Sequence, residues 1–257
     1  MASKKTPARQ AQAGATLSEY AGVRYLHLGT EWVQGAMRVR KPQHIELEYV
    51  QRMMAWMLWR PTAELTQGQA VQLGLGAGAI TRFSHQVLKM RTTAVELNAT
   101  VIDACKLWFH LPDDDARLTV LHADAARWVA DPAHLGTVQV LNVDLYDHEA
   151  AAPVLDDEAF YACCRGVLAD GGLMTVNLFG RDASFERSAA RIAAAFGLDQ
   201  VWHLAPTKEG NTIVVAARGV VVPDRDTLIA RAEYIRERFG LPAPKWLRLV
   251  RPLRLPA

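Results

Sequence analysis

From Gly68 onward the sequence alternates short apolar runs with segments of helical period, and this alternation leaves very few folds open. The runs read AVQLGLG, TTAVELN, RLTVLHAD, VQVLNVDLY and GLMTVNLF. Between and after them lie helical stretches such as TVIDACKLWFH, a short helix around Ala126 to Val129, DEAFYACCRGVLAD and SFERSAARIAAAFG. Apolar strands separated by helices are buried on both faces, which predicts a mostly parallel sheet with helices on either side. The last two runs, QVWHLA and NTIVVAARG, have no helix between them and predict a terminal antiparallel hairpin.

Seven strands closing in a hairpin is the α/β layout of class I S-adenosylmethionine-methyltransferase-like, Rossmann-like domains; an ordinary dinucleotide fold runs through two βαβαβ halves. Ahead of this domain, RYLHLGTEWVQGAMRVR places β-formers on both sides of Gly29 and Thr30 and predicts a small hairpin or meander. Leu47, Val50, Met54 and Met57 then recur at helical spacing from Ile45 to Trp59, and Arg60-Pro61 ends that helix. The expected organisation is a disordered tail over 1–15, a β segment and helix over 16–62, a catalytic domain over 63–240 and a C-terminal tail over 241–257. Residues 1–15 carry cations without a following apolar core, so they do not read as a secretory signal.

Length and charge bound the partners. A chain of 257 residues, 50% hydrophobic, makes one sizeable core with a small appendage. Lys+Arg 29 against Asp+Glu 27 leaves a net charge of +2, too balanced for a nucleic-acid surface, so a small-molecule partner is expected. The richest apolar stretch, Met53 to Trp59, falls far short of the roughly 20 residues that span a bilayer. Cys105, Cys163 and Cys164 form neither a disulfide framework nor a metal-ligand cluster, which points to a reducing cytoplasm and no metal. The N-terminal β segment and the Met53 to Trp59 helix are candidates for a homodimer surface.

Four successive strand ends carry the chemistry. Gly74-Leu75-Gly76-Ala77-Gly78-Ala79 follows the first core strand, where Gly74, Gly76 and Gly78 let backbone approach a ligand. The run also fits G-x-G-x-x-A, so a nicotinamide cofactor is a distant alternative. Glu96 ends the second strand about 20 residues later, where a carboxylate can accept from both ribose hydroxyls. Asp124-Ala125 ends the third, placing a carboxylate and a backbone N–H for an adenine edge; Asp124 also reads as a helix cap. The fourth ends in Asp144-Leu145-Tyr146-Asp147, followed by His148, Glu149 and Pro153. Its paired carboxylates face the crevice where open α/β sheets bind ligands.

These residues resemble the spermidine synthases and related polyamine aminopropyltransferases, from about Arg24 to Arg218. The family's glycine loop, GGGDGG, falls on Gly74 to Ala79, its ribose acid on Glu96 and its adenine acid on Asp124. Its D-x-x-D motif falls on Asp144 and Asp147, with the downstream proline at Pro153. Gln34 matches the glutamine that touches the nucleoside's side chain, and Tyr49 the tyrosine of the YHE segment. Three departures stand out: Ala77 occupies the loop aspartate's place beside the aminopropyl ammonium, Val50 and Gln51 replace His and Glu, and Pro206 to Gly210 lack the late tyrosine.

The resemblance implies transfer of an aminopropyl group from decarboxylated S-adenosylmethionine to an amine. Asp144 would be the general base, Asp147 and Tyr146 would position the amine, and no metal is required. Ala77 keeps open a methyltransferase using intact S-adenosylmethionine, since a loop carboxylate would repel that donor's own. The departures together also permit a catalytically idle nucleoside-binding protein.

Overall fold

The computed structural model describes residues 14–145, 155–179 and 183–255. Most of the chain forms one eight-stranded sheet with helices on both faces. Its strands are β4 (Gln69–Leu73), β5 (Arg91–Glu96), β6 (Leu118–His122), β7 (Val138–Val143), β8 (Leu168–Phe179), β9 (Val201–Leu204), β10 (Asn211–Ala217) and β11 (Val250–Pro252). They lie in the order β11-β9-β10-β8-β7-β4-β5-β6. The five from β8 to β6 are parallel, while β10, β9 and β11 add antiparallel neighbours. The terminal hairpin is present, and β11 adds an edge strand to the seven expected.

Both faces are dry, as the apolar runs require. Along β10, Ile213, Val215 and Ala217 join one core and Val214 and Ala216 the other, the two-residue period of a doubly covered strand. The first core contains Met53 to Trp59; the second packs the sheet against α4 (Ala125–Ala130), α5 (Glu158–Val167) and α6 (Ala183–Phe196).

Several local expectations change. Residues 45–59 do not form one helix: α1 covers Glu48–Met53 and a 3₁₀ turn continues over Met54–Leu58. Met53 to Trp59 are at most 5% exposed, so this segment, a candidate dimer surface, is interior to the single chain. A helix apolar on every side is buried on every side. Helix α5 stops at Val167, and Leu168 begins β8, where it pairs with Val138 across a bulge. After α7 (Arg225–Phe239), the stretch read as a tail forms α8 (Ala243–Leu249), which inserts Trp246 into the core, and then β11.

The N-terminal segment is a three-stranded meander, β1 (Ala15–Tyr20), β2 (Val23–Leu28) and β3 (Gly35–Arg38). Its first turn is Ala21-Gly22, both at positive φ, as a tight two-residue hairpin requires. Strand β1 starts at Ala15, inside the stretch expected to be a tail; residues 1–13 lie outside the described residues. Leu26 and Met37 seat the meander in a third apolar cluster with Leu75, Ala77, Val101 and Phe109. That contact places the meander over the glycine loop.

Candidate active site

The carboxyl ends of β4, β5, β6 and β7 deliver Gly74 and Gly76, Glu96, Asp124-Ala125 and Asp144 to one cavity of about 690 Å³. The meander contributes Gln34, and Tyr49 enters from α1. Eight residues singled out in the sequence thus converge, at the position where parallel sheets bind ligands. Tyr146, Asp147, His148, Glu149 and Pro153 lie outside the described residues.

The loop after β4 is held rigid by its own neighbours. Gly74 sits at φ +84°, and a Cβ there would collide with the Asp144 carbonyl. Gly76, at φ +51°, approaches the Gln34 carbonyl. Gln72 donates from Nε2 to the Gly74 carbonyl at 2.7 Å and accepts from Thr81 Oγ1 at 2.5 Å. Cys105 Sγ donates to the Gly76 carbonyl at 3.1 Å. Arg82, fully buried, donates to the Ala77 and Phe109 carbonyls at 2.6 and 2.7 Å. Gly78 serves the turn and does not line the cavity; it adopts φ +70° with Leu111, Cys105 and the Arg82 guanidinium around it.

Ala77 is corrected too. It is 3% exposed, absent from the cavity wall, and so close to β3 that a Cβ on Gly35 would come within 2.6 Å of its own. The docked meander covers this position and keeps its side chain off the cavity wall.

Glu96 accepts the Leu75 and Asn98 amides, one at each oxygen, both at 2.8 Å. Burial pushes its carboxyl above the usual range, opposed by those amides and by His122. A carboxylate has about four acceptor lone pairs, so it retains capacity for ligand hydroxyls. Asp124 Oδ1 caps α4 by accepting from Ala126 and Arg127 at 2.8 and 3.2 Å, so its capping role is real, and the residue also lines the cavity.

Asp144 is held differently. Asn177 Nδ2 donates to Oδ1 at 2.9 Å and Tyr49 Oη donates to Oδ2 at 3.3 Å. Asn211 in turn donates to Asn177 Oδ1 at 3.0 Å. Burial, with a smaller contribution from the charge on Glu96, pushes the Asp144 carboxyl up to about 6 against the two hydrogen bonds. A carboxyl near that value is ionised at neutral pH yet more basic than a solvated aspartate.

Sequence reasoning passed over Asn177, Asn211 and Gln72. The available signal was an amide side chain within or at the start of each of three mostly apolar strands, since a buried amide needs a partner. It also missed the composition of the wall. The described lining contains seven carboxylates, Glu31, Glu46, Glu48, Glu96, Asp124, Asp144 and Glu209, and no Lys, Arg or His. Arg38 and Arg52 neutralise Glu46 and Glu48 from outside. The remaining wall favours a cationic ligand. Among the described residues no cluster of three or more metal-ligating side chains occurs, and no helix is long and apolar enough to cross a membrane.

No family model matches the chain. It is 30% identical over 237 residues to the polyamine aminopropyltransferase of Neisseria meningitidis serogroup B, covering 91% of this chain and 88% of that protein. The chain belongs to the polyamine aminopropyltransferase family. Its fold agrees: a probable spermidine synthase from Corynebacterium glutamicum superposes with a TM-score of 0.72 at 19% identity, over 91% of this chain and 86% of that one. Methyltransferases share the scaffold. Human methyltransferase-like protein 13 in complex with SAH gives 0.65 at 21% identity, covering 75% of this chain and 92% of that one. Membership makes this aminopropyltransferase relative a transferase built on a methyltransferase-like fold.

Proposed function

We propose that this protein transfers the aminopropyl group of decarboxylated S-adenosylmethionine to an amine, with Asp144 as general base. The carrying observation is the Asp144 carboxyl, oriented by Asn177 and Tyr49 and raised to about 6, on the wall of a cation-favouring cavity. A primary amine has a pKa of about 10.4 and is protonated at neutral pH, so it cannot attack until that proton leaves. Raising the acceptor from 3.8 to about 6 narrows the mismatch by about two units, roughly 3 kcal/mol. The freed lone pair forms the new N–C bond, the C–S bond breaks with its electrons going to sulfur, and Asp144 takes the proton. The sulfonium thereby becomes the neutral thioether of methylthioadenosine.

In this reading Glu96 takes the ribose hydroxyls, Asp124 and Ala125 the adenine edge, and Gly74 and Gly76 admit the nucleoside to the backbone. Gln34 carries a buried Nε2 with no partner among the described residues, an unused donor in the cavity wall. Asp147 and Tyr146 are proposed to position the amine, on the family motif alone. The acidic wall supports the decarboxylated donor over the intact one, whose own carboxylate would meet like charge.

The test is calorimetry against both donors, followed by product identification with an amine acceptor. Tighter binding of the decarboxylated donor and release of methylthioadenosine are expected. Tighter binding of intact S-adenosylmethionine, with S-adenosylhomocysteine as the product, would replace this reading by methyl transfer.

A further inference from the structure

Asn177 meets Asp144 with one end of an amide whose other end is an acceptor of nearly the same shape. Which end faces the carboxylate decides the sign of the contact. An N–H donated to Asp144 stabilises its charge, whereas a carbonyl oxygen turned toward it repels the ionised form and accepts only from the protonated one. Ionised Asp144 selects the donor by itself; the neutral carboxyl, able to donate as well as accept, does not. Little water reaches the pair to correct a wrong orientation, since Asn177 is 4% exposed and Asn211 8%.

The contact that settles the orientation comes from the next strand. Asn211 Nδ2 donates to Asn177 Oδ1 at 3.0 Å, which commits the Asn177 oxygen to β10 and leaves its Nδ2 for Asp144 Oδ1 at 2.9 Å. The two asparagines are diagonal neighbours on one face: Ile213 stands opposite Asn177 in the β8–β10 register, and Asn211 lies two residues before it. Asn211 is itself clamped by the turn between β9 and β10. Its N–H donates to Thr207 Oγ1 at 3.2 Å, and its carbonyl accepts from the N–H of the same buried threonine at 2.8 Å. With both backbone groups tied, Asn211 cannot follow a turning partner. Its donation into the Asn177 carbonyl also polarises that amide and strengthens the N–H offered to Asp144.

We infer that Asn211 is a positioning residue for the transfer, holding the Asn177 amide so that Nδ2 and not Oδ1 faces Asp144 whether that carboxyl is charged or neutral. This inference rests on the reading of Asp144 as the base and adds what orients its donor. The Tyr49 hydroxyl from α1 and the charge on Glu96 from β5 also act on Asp144, and the variants below leave both in place.

The experiment follows the acid limb of kcat/KM against pH. Asn211→Leu removes the donor with little change of volume, so the Asp144 pKa should rise and the limb move up by a few tenths of a unit to about one unit. Asn211→Asp reverses the contact: its carboxylate draws the Asn177 N–H, the Asn177 oxygen turns to Asp144, and the limb should rise by more than about one unit. Asn211→Gln keeps an amide donor and should lie nearer wild type than Asn211→Leu. Affinity for methylthioadenosine should stay nearly constant throughout. Repeating Asn211→Leu and Asn211→Asp in an Asn177→Leu background separates relay through the amide from a direct effect, because the shifts should then largely vanish. Limbs that stay in place or move to lower pH, or shifts that persist without Asn177, overturn the inference. Should Asn211→Asp fail to fold, Asn211→Leu decides alone. Infrared difference spectra between each protein and its Asp144→Asn counterpart read the protonation of Asp144 without turnover. An infrared shift with an unmoved activity limb, or with no product formed, would uphold this inference and defeat Asp144 as base; no infrared shift in a protein that forms product would do the reverse.

Discussion

The two ends of the cavity are built by different means. At the proposed nucleoside end, Glu96 and Asp124 are fixed by backbone amides close in sequence, those of Asn98, Ala126 and Arg127, with Leu75 21 residues away. At the proposed amine end, Asp144 is fixed by side chains, Tyr49 from 95 residues away and Asn177 from 33. Backbone partners come with the fold itself and survive sequence change, whereas side-chain partners are individually replaceable. The nucleoside end should therefore govern whether a donor binds, and the amine end how fast and at what pH the transfer runs.

The largest effect belongs to Asp144→Asn. It keeps the side chain's shape and removes the base, so kcat should fall roughly 100- to 10,000-fold while donor affinity changes little. A parallel collapse of donor affinity would erase the distinction between the two ends. The same variant should be more stable than wild type at neutral pH. The folded pKa of Asp144, about 6, lies above its ordinary 3.8, so ionisation opposes folding. That penalty is absent below pH 4, grows as pH rises between 4 and 6, and is full above. Removing it should gain on the order of 1 to 3 kcal/mol in denaturant unfolding at pH 7, after discounting for the altered hydrogen bonds.

Glu96→Ala tests the opposite end and ranks next. It removes the ribose acceptor and leaves the Leu75 and Asn98 amides unpaired, so affinity for methylthioadenosine should drop about 10- to 1,000-fold. Turnover at saturating donor should change far less. A variant that binds normally and turns over slowly would move Glu96 to the amine end.

Tyr49→Phe should give the smallest change and the most pointed one. The Tyr49 hydroxyl lowers the Asp144 pKa, so removing it should raise that pKa further. The acid limb of kcat/KM against pH should then shift upward by a few tenths of a unit to about one unit, with donor affinity unaltered. A shift toward lower pH, or none, would remove Tyr49 from the network.

The same contrast explains what the sequence made legible. Glu96, Asp124 and the glycines stand at strand ends that can be counted along the chain, so period and spacing located them. Asn177 and Asn211 meet only because β8 and β10 pair antiparallel in one register, which no local pattern encodes. The first hairpin was missed because its turn is Ala21-Gly22, and alanine at positive φ gives no turn signal. Strand β11 and α8 were missed for a related reason. Short and proline-flanked, they owe their conformation to Trp246 in the core and to the edge of β9. The charge balance hid the acidic cavity, because a net charge of +2 averages over a surface and says nothing of one wall.

The contact between Gly35 and Ala77 has a consequence for descent. Neither position has room to grow: a Cβ on Gly35 would come within 2.6 Å of the Ala77 Cβ, and Ala77 is sealed beneath the meander. A carboxylate introduced at position 77 would be shut in among Leu26, Met37 and Leu75 unless β3 first moved away. The two sites are thus interlocked in evolutionary time, and the order of mutations matters. A chain that has closed this contact cannot acquire an acidic loop by one substitution, so loop and meander should change together.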